Sequence, residues 1–277
     1  MKNYEISTSL ASIENINAYS KLLSEVFSKT SKFTPGFLHW QYTQNPNGTV
    51  VGSDAFFNGS LVAHHAAIPV VYTIFGKQYK GLLAINNVTH PDHQGKGLFT
   101  ELGRRTFEEA KLLGYQFVIT ATNKNSTYGY LNKFGFRELS PLDVKIGIGK
   151  IIPSNYSDHQ VHSIWTDESI AWRFQNPSVR YYYDNKTIIS KTDLLGVYAQ
   201  IKNCSELNMD KIKLESKKSY FSLWIGLFEI KKKGFFFNLP NKLKPSPLNL
   251  LFKDLQGNIP LFSKDDLHFE LADFDAF

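Results

Sequence analysis

The chain has 277 residues, 42% of them apolar and 14% aromatic, with 22 Phe and 14 Tyr. That content supports packed cores and excludes a disordered chain, and the length suffices for one large or two modest domains. A formal net charge of +6 suits an anionic ligand. No zinc-ligand spacing, RRM-like signature or basic helix accompanies it, so nucleic acid is not an expected partner.

Residues 2–9 read as a strand and 13–27 as a helix, in which Ile13, Ile16, Tyr19, Leu22, Leu23 and Val26 recur at helical spacing. Thr34-Pro35-Gly36 reads as a turn. An aromatic segment with Trp40 and Tyr42 follows, and Asn45-Pro46-Asn47-Gly48 breaks the chain. Residues 54–57, Asn58-Gly59 and the run from Leu61 carry the strongest hairpin signal. Residues 70–75, Gly76-Lys77-Gln78 and 79–88 read as a second hairpin. A polar loop, Thr89 to His93, then leads into Gln94-Gly95-Lys96-Gly97-Leu98-Phe99, which opens a helix. Its stripe is Leu98, Leu102, Thr106, Ala110 and Leu113, and Gly114 ends it. Gly103 reads as an ordinary interior position where alanine would favour the helix. Residues 115–120 form a further strand, Ser126 is expected to cap a second helix, and Gly135 closes that helix before Phe136.

Residues 143–152 can be the last strand of this unit, and Pro153-Ser154-Asn155 begins a linker. Then a pattern recurs. Trp40-Gln41-Tyr42-Thr43-Gln44-Asn45-Pro46 resembles Trp172-Arg173-Phe174-Gln175-Asn176-Pro177, one residue shorter. Each is followed by an aromatic strand and a turn, Asn58-Gly59 or Asp184-Asn185, which reads as the repeated opening of a domain. The second unit is strand-rich (186–190, 194–201, 220–230, 235–239) and has no equivalent of the Gln94–Gly97 turn. Cys204 is the only cysteine, which excludes an intrachain disulfide and fits a reducing, cytoplasmic setting. The N-terminus has no apolar signal core, and the longest apolar-looking run, 220–228, is too short to span a bilayer, so no membrane partner is expected.

A strand, a glycine-rich turn and a helix start make an anion site. Glycines let successive N–H groups converge without Cβ clashes, and the helix adds unpaired N–H groups and the positive end of its dipole. Lys96 adds a positive charge. A Walker loop would need Ser or Thr after Gly95-Lys96, where Gly97 stands. A dinucleotide fingerprint would need a third glycine and an acidic residue ending the next strand, where Thr120-Ala121-Thr122 stands.

The block resembles the acyl-CoA-binding core of the GNAT superfamily of N-acetyltransferases. That pattern, Gln/Arg-x-x-Gly-x-Gly/Ala, is met by Gln94 and Gly97 and departed from at Phe99, whose side chain must turn away from the phosphates. Asn123 after the next strand and the helix ending in Gly135-Phe136 also match. The resemblance covers about residues 1–150. It implies an α/β fold with a mixed, mostly antiparallel sheet whose two central parallel strands splay apart to admit pantetheine. A smaller GNAT-like half, residues 151–277, would follow, shaping the acceptor pocket. The resemblance further implies acetyl-CoA as co-substrate and no metal. Backbone groups of Gln94, Gly95, Lys96, Gly97, Leu98 and Phe99 would hold the pyrophosphate. Asn87 and Val88, with Thr89, would meet the acyl group, and Asn123 and Ser126 would line the cofactor path.

Acetyl transfer needs a base for the amine, a donor for the oxyanion and, in many enzymes, an acid for the thiolate. The usual acid position is Leu131 here, so Tyr128, one turn back, and Tyr130 are the substitutes, with Tyr128 the better placed on helical geometry. His64 and His65 on one strand and His90 and His93 beside the loop are the candidate bases. The expected function is N-acetyl transfer to a primary amine of a small molecule, an amino sugar among the possibilities, by direct attack in a ternary complex. The alternatives are a CoA-binding sensor or scaffold without activity, and a Fem-type aminoacyltransferase.

Overall fold

The computed structural model describes residues 3–28, 30–153, 159–205, 207, 209, 212–240, 244 and 247–274. In chain order the elements are β1 (Glu5–Thr8), α1 (Ile13–Val26), α2 (Pro35–Thr43), β2 (Val51–Phe57), β3 (Ser60–Ile74), β4 (Lys77–Thr89), α3 (Leu98–Leu112), β5 (Phe117–Thr122), α4 (Lys124–Phe134), β6 (Arg137–Pro141) and β7 (Asp143–Pro153). There follow β8 (Val161–Ser163), α5 (Asp167–Phe174), β9 (Tyr181–Asp184), β10 (Thr187–Lys191), β11 (Val197–Asn203), β12 (Glu215–Ser216), β13 (Phe221–Leu227), β14 (Ile230–Asn238), β15 (Asn249–Asp254) and β16 (Leu267–Glu270).

β1 to β4 form an antiparallel run. The β2–β3 turn places both Asn58 (φ +50°) and Gly59 (φ +75°) in the left-handed region, as a two-residue hairpin demands. β4 then pairs with β5 in parallel, but only over Gly81–Leu83 against Phe117–Ile119. Alternation along β4 sorts the two faces. Leu83 and Ile85 join the core with Tyr19, Leu23 and Tyr42 of α1 and α2. Leu82 and Ala84 join Phe107 and Ala110 of α3 and Tyr130 and Phe134 of α4. Helices therefore cover both faces at the point where the parallel strands part.

Three local expectations are corrected. Thr34-Pro35-Gly36 starts α2: Thr34 accepts a hydrogen bond from the Phe37 N–H, and Pro35 occupies the first turn, where its missing N–H costs nothing. α4 is capped by Asn123, whose Oδ1 accepts from the Asn125 and Ser126 N–H groups, so Ser126 lies inside the helix. Gly103 is not interchangeable with alanine, because a Cβ there would meet Phe134 Cζ at 2.3 Å. α3 and α4 approach closely through that glycine.

The second half repeats the first without α3 and α4. Thr166 caps α5 as Thr34 caps α2. Asn176 accepts from the Ser178 N–H as Asn45 accepts from that of Asn47. β9, β10 and β11 run antiparallel, and the β9–β10 turn again has two positive φ values, at Asn185 and Lys186. β11 pairs in parallel with β13, Val197–Gln200 against Phe221–Trp224. No described helix lies between them. The repeated tryptophans meet across a local two-fold: Trp40 and Trp172 stack at 4.9 Å and 18°. Each indole N–H donates to the other's carbonyl oxygen, at 2.9 and 3.1 Å. Such a pair adds about 0.5–1.5 kcal/mol beyond the burial of its rings.

The expected division at residue 150 is crossed in both directions. β7 leaves the first half to pair with β13 and β14. β15 returns from the second half to lie between β5 and β6. β8 joins β3 to β16. The expected linker runs into residues 154–158, outside the described residues.

Candidate active site

The glycine turn lies at the mouth of the splay. Gly95 (φ +72°) and Gly97 (φ +80°) are both left-handed, and a Cβ built on either would meet nothing within 4 Å. The turn thus presents bare backbone to open space. Gly97 caps α3 without a side chain. The first intrahelical bond is Glu101 N–H to Gly97 O, which leaves the N–H groups of Leu98, Phe99 and Thr100 without helical acceptors. An anion seated here meets these donors and the dipole together. Gln94 donates from Nε2 to Thr89 O at 3.2 Å, closing the base of the loop. Lys96 Nζ donates to Asp92 O at 2.9 Å, which keeps its charge beside the turn.

Phe99 turns inward, as expected. It packs at 5.2 Å from the Phe134 ring and 5.9 Å from that of Tyr130. Gly129 makes this possible, since a Cβ there would lie 2.5 Å from Phe99 Cε1. The large residue in the motif is therefore matched by a glycine on the helix opposite. The sequence places the two thirty residues apart and gives no sign of their contact.

Beyond Leu83 the parallel strands separate. Thr120 Oγ1 donates to Ala84 O at 3.1 Å and closes the narrow end of the gap. The β4 backbone that follows carries a bulge, since Asn86 and Asn87 together oppose the single residue His65. Asn86 takes φ +51°, a left-handed value that asparagine tolerates better than most residues. Asn87 bridges the gap: Oδ1 accepts from the Ala66 N–H at 3.0 Å, and Nδ2 donates to the Tyr130 hydroxyl. Val88 is buried, paired with His64, and Thr89 ends the strand at the glycine loop.

The tyrosine order is reversed. Tyr130 is 1% exposed and faces the strands, whereas Tyr128 is 66% exposed on the outer side of α4. Tyr130 and Phe134, one turn apart, are the side chains that pin α4 to the sheet. Burial raises the Tyr130 phenol above the ordinary tyrosine value, so the hydroxyl keeps its proton.

The adjacent histidines part to opposite faces. His65 sits among Phe99, Phe107, Tyr130 and Phe134, and its Nε2 lies 3.5 Å from the Tyr130 hydroxyl. Burial, with a smaller contribution from His64, lowers its pKa to about 3. An imidazole that holds a proton so weakly is a poor base, and His65 is better described as a core residue. His64 faces α1 and α2. Its Nδ1 is 2.6 Å from Asp54 Oδ1, and its Nε2 is 2.9 Å from the Tyr42 hydroxyl. That hydroxyl accepts from Asn86 Nδ2 at 3.0 Å, and Asn86 also donates to Gln41 Oε1 at 2.7 Å. His93 is tied to the Tyr4 hydroxyl at 2.9 Å, while His90 accepts from the Asp92 N–H, so both organise the loop before the glycines.

On the α2 side of the sheet a narrow pocket of about 50 Å³ opens between the halves, walled by Trp40, Gln41, Tyr72, Leu83, Trp172 and Asp273 among others. Asp273 Oδ1 accepts from Ser163 Oγ and from Trp165 Nε1. Among the described residues no group of three or more His, Cys, Asp or Glu side chains is placed to hold a metal, and no helix is long and apolar enough to cross a membrane.

This arrangement defines a class. Residues 8–139 match the sequence profile of the acetyltransferase (GNAT) domain. The matched residues make up just under half of the chain, and the fold is GNAT-like, with a second, smaller α/β half after it. Solved structures share the fold over nearly all of the chain. A probable N-acyltransferase from Enterococcus faecalis V583 aligns with TM-score 0.60 at 9% identity, covering 91% of this chain and 73% of that one. A GCN5-related N-acetyltransferase from Kribbella flavida aligns with TM-score 0.59 at 9% identity, covering 91% and 72%. Eis1 from Mycobacterium abscessus aligns with TM-score 0.56 at 9% identity, covering 91% and 74%. No curated protein sequence matches the chain.

Proposed function

We propose that the protein moves an acetyl group from acetyl-CoA to the primary amine of a small molecule, by direct attack in a ternary complex. The observation that carries this reading is one continuous path: a bare-backbone anion cradle at Gly95–Phe99, the gap between β4 and β5, and the bulge at Asn86–Asn87. A CoA-type ligand has the same order of parts, pyrophosphate, pantetheine and thioester. The thioester supplies the acyl group and a thiolate that leaves.

The residues divide the work. Backbone N–H groups from Gln94 to Phe99 hold the pyrophosphate, and Asn123 and Ser126 at the start of α4 border the pantetheine path. Backbone groups at Asn87 and Val88, on the edge that β5 vacates, meet the acyl carbonyl as its oxygen gains charge. Tyr130, protonated and held by Asn87, gives the thiolate its proton. Residues 1–150 supply these groups. Residues 151–277 supply Trp172 and Asp273 to the pocket wall and β15 to the sheet.

The pocket favours an amine on an apolar or aromatic body over an amino sugar. Its walls are mostly tryptophan and aliphatic side chains, and Asp273 is already hydrogen-bonded. Each sugar hydroxyl left unpaired against those apolar walls would cost about 1–3 kcal/mol. The test is thiol release from acetyl-CoA across an amine panel that pairs arylalkyl amines with amino sugars. Turnover confined to the amino sugars contradicts the acceptor assignment. Acetyl-CoA binding with no turnover on any amine points instead to a CoA-binding sensor.

A further inference from the structure

We propose that Tyr42, His64 and Asp54 form a proton relay that takes the proton from the acceptor ammonium; this rests on the N-acyltransferase reading above. The relay runs inward from the bulge where that reading puts the thioester. The Tyr42 hydroxyl contacts Asn86 of the bulge, His64 Nε2 lies behind it, and Asp54 Oδ1 closes on His64 Nδ1. Asp54 is held in turn by Ser9 Oγ at 2.8 Å and by the Tyr19 hydroxyl at 2.6 Å, and the Tyr19 ring stacks on His64 at 4.1 Å.

The step balances as follows. The acceptor ammonium gives one N–H proton, directly or through one water, to the Tyr42 oxygen. The Tyr42 proton passes to His64 Nε2. The imidazolium then pairs with the Asp54 carboxylate, and the neutral amine keeps the electron pair that attacks the acyl carbon. Tyr42, buried behind Asn86, is the outermost group of the relay, and His64 and Asp54 act through it. The remaining titratable groups around His64 are Tyr19 of α1 and the neutral His65, which projects from the other face of the sheet. Burial, and after it the neighbouring Asp54, raise the Tyr19 phenol, so it keeps its proton.

The second half is an internal control. Helix alignment on the tryptophans puts Phe174 at the place of Tyr42. Counting back from the hairpin turns puts Tyr181 at the place of Asp54, and its strand partner Ser190 stands opposite as His64 stands opposite Asp54. Phe174 packs edge-on against Tyr181 at 5.1 Å. That half, which lacks the glycine turn, fills the same space with rings and has neither carboxylate nor imidazole at these places. The Asp–His–Tyr chain is thus not what the fold needs for packing.

The test is the pH profile of thiol release by the full chain, with acetyl-CoA and an amine that wild type accepts. Tyr42→Phe keeps the ring and removes the relay's outer hydroxyl, and His64→Gln removes its centre. In Tyr42→Phe, kcat is expected to fall about 10²-fold with KM for acetyl-CoA within about twofold of wild type. The residual rate should climb about tenfold per pH unit through the range where wild type is level, because solvent must then supply the free amine. His64→Gln should show the same climb. Wild-type kcat and an unchanged profile in a folded Tyr42→Phe overturn the relay while leaving the acyltransferase reading intact. No thiol release by wild type with any amine overturns both.

Discussion

Replacing Tyr130 by phenylalanine removes one hydroxyl and leaves its ring between Phe99, Phe134 and Phe136. The structural loss is the hydrogen bond from Asn87 Nδ2, worth about 1 kcal/mol. Unfolding entropy of about 2.1 cal/mol/K per residue, over 277 residues, converts that into a fall in Tm of roughly 2 °C. The catalytic loss should be much larger. A general acid contributes about 10²–10⁴-fold, or roughly 3–5 kcal/mol of barrier. Because burial holds the Tyr130 phenol above the ordinary range, the wild-type acid keeps its proton, and the deficit should be the same at any pH between about 6 and 9. Tyr128→Phe, on an exposed ring, should leave both Tm and kcat at wild-type values. The assay is thiol release at saturating acetyl-CoA, with melting followed in parallel. Full kcat in Tyr130→Phe would refute the acid role, and a loss confined to Tyr128→Phe would refute the placement of the helix face.

Gly129→Ala should weaken acetyl-CoA binding by pushing Phe99 toward the cradle, and adding Phe99→Ala should restore part of it; additive losses in this double-mutant cycle, measured by calorimetry, contradict the contact. Acid should destabilise the fold in two windows, followed by denaturant titration at each pH. His65, neutral when folded, contributes stability that is complete above about 6.5 and is lost as pH falls toward about 3. Burial would raise the Glu270 carboxyl, but Lys202 and His268 outweigh it and hold it at about 2, so its contribution is lost between about 4.5 and 2. His65→Leu should flatten the first window and spare the second; an unchanged slope in the first contradicts the burial argument. Truncation after residue 150 should yield no cooperatively folded domain, since β15 leaves the β5–β6 gap and β7 loses both partners; a cooperative melt of that fragment, or of 151–277, contradicts it.

What was legible in the sequence was local. The glycine turn is written in consecutive residues whose φ requirements only glycine meets cheaply, and the Trp…Asn-Pro repeat keeps its spacing because each copy builds the same helix end and turn. Tyr128 is preferred on the sequence for lying one turn before Leu131, whereas the buried face of α4 is set by the pair Tyr130 and Phe134. The Asp54–His64 pair was hidden by a bulge between Ala55 and Phe56, which shifts the register counted out from Asn58-Gly59 by one residue. The exchange of β7 and β15 between the halves was not legible either, because an apolar strand has the same pattern whichever sheet receives it. Gly103 reads as an ordinary helix position, and only the ring of Phe134 gives it a role.

The central claim, that the cradle and the splayed strands hold an acyl-CoA, is tested most directly by titrating the purified chain with acetyl-CoA in a calorimeter, beside Gly97→Val. Gly97 sits at φ +80°, where a β-branched residue is strained and would stand against the pyrophosphate. The account predicts saturable one-to-one binding by wild type, with a stabilisation of about 2.7 kcal/mol at a hundredfold excess over Kd. For a folded Gly97→Val it predicts at least a tenfold weaker Kd. Absence of binding by wild type, or equal affinity in the two proteins, would contradict it.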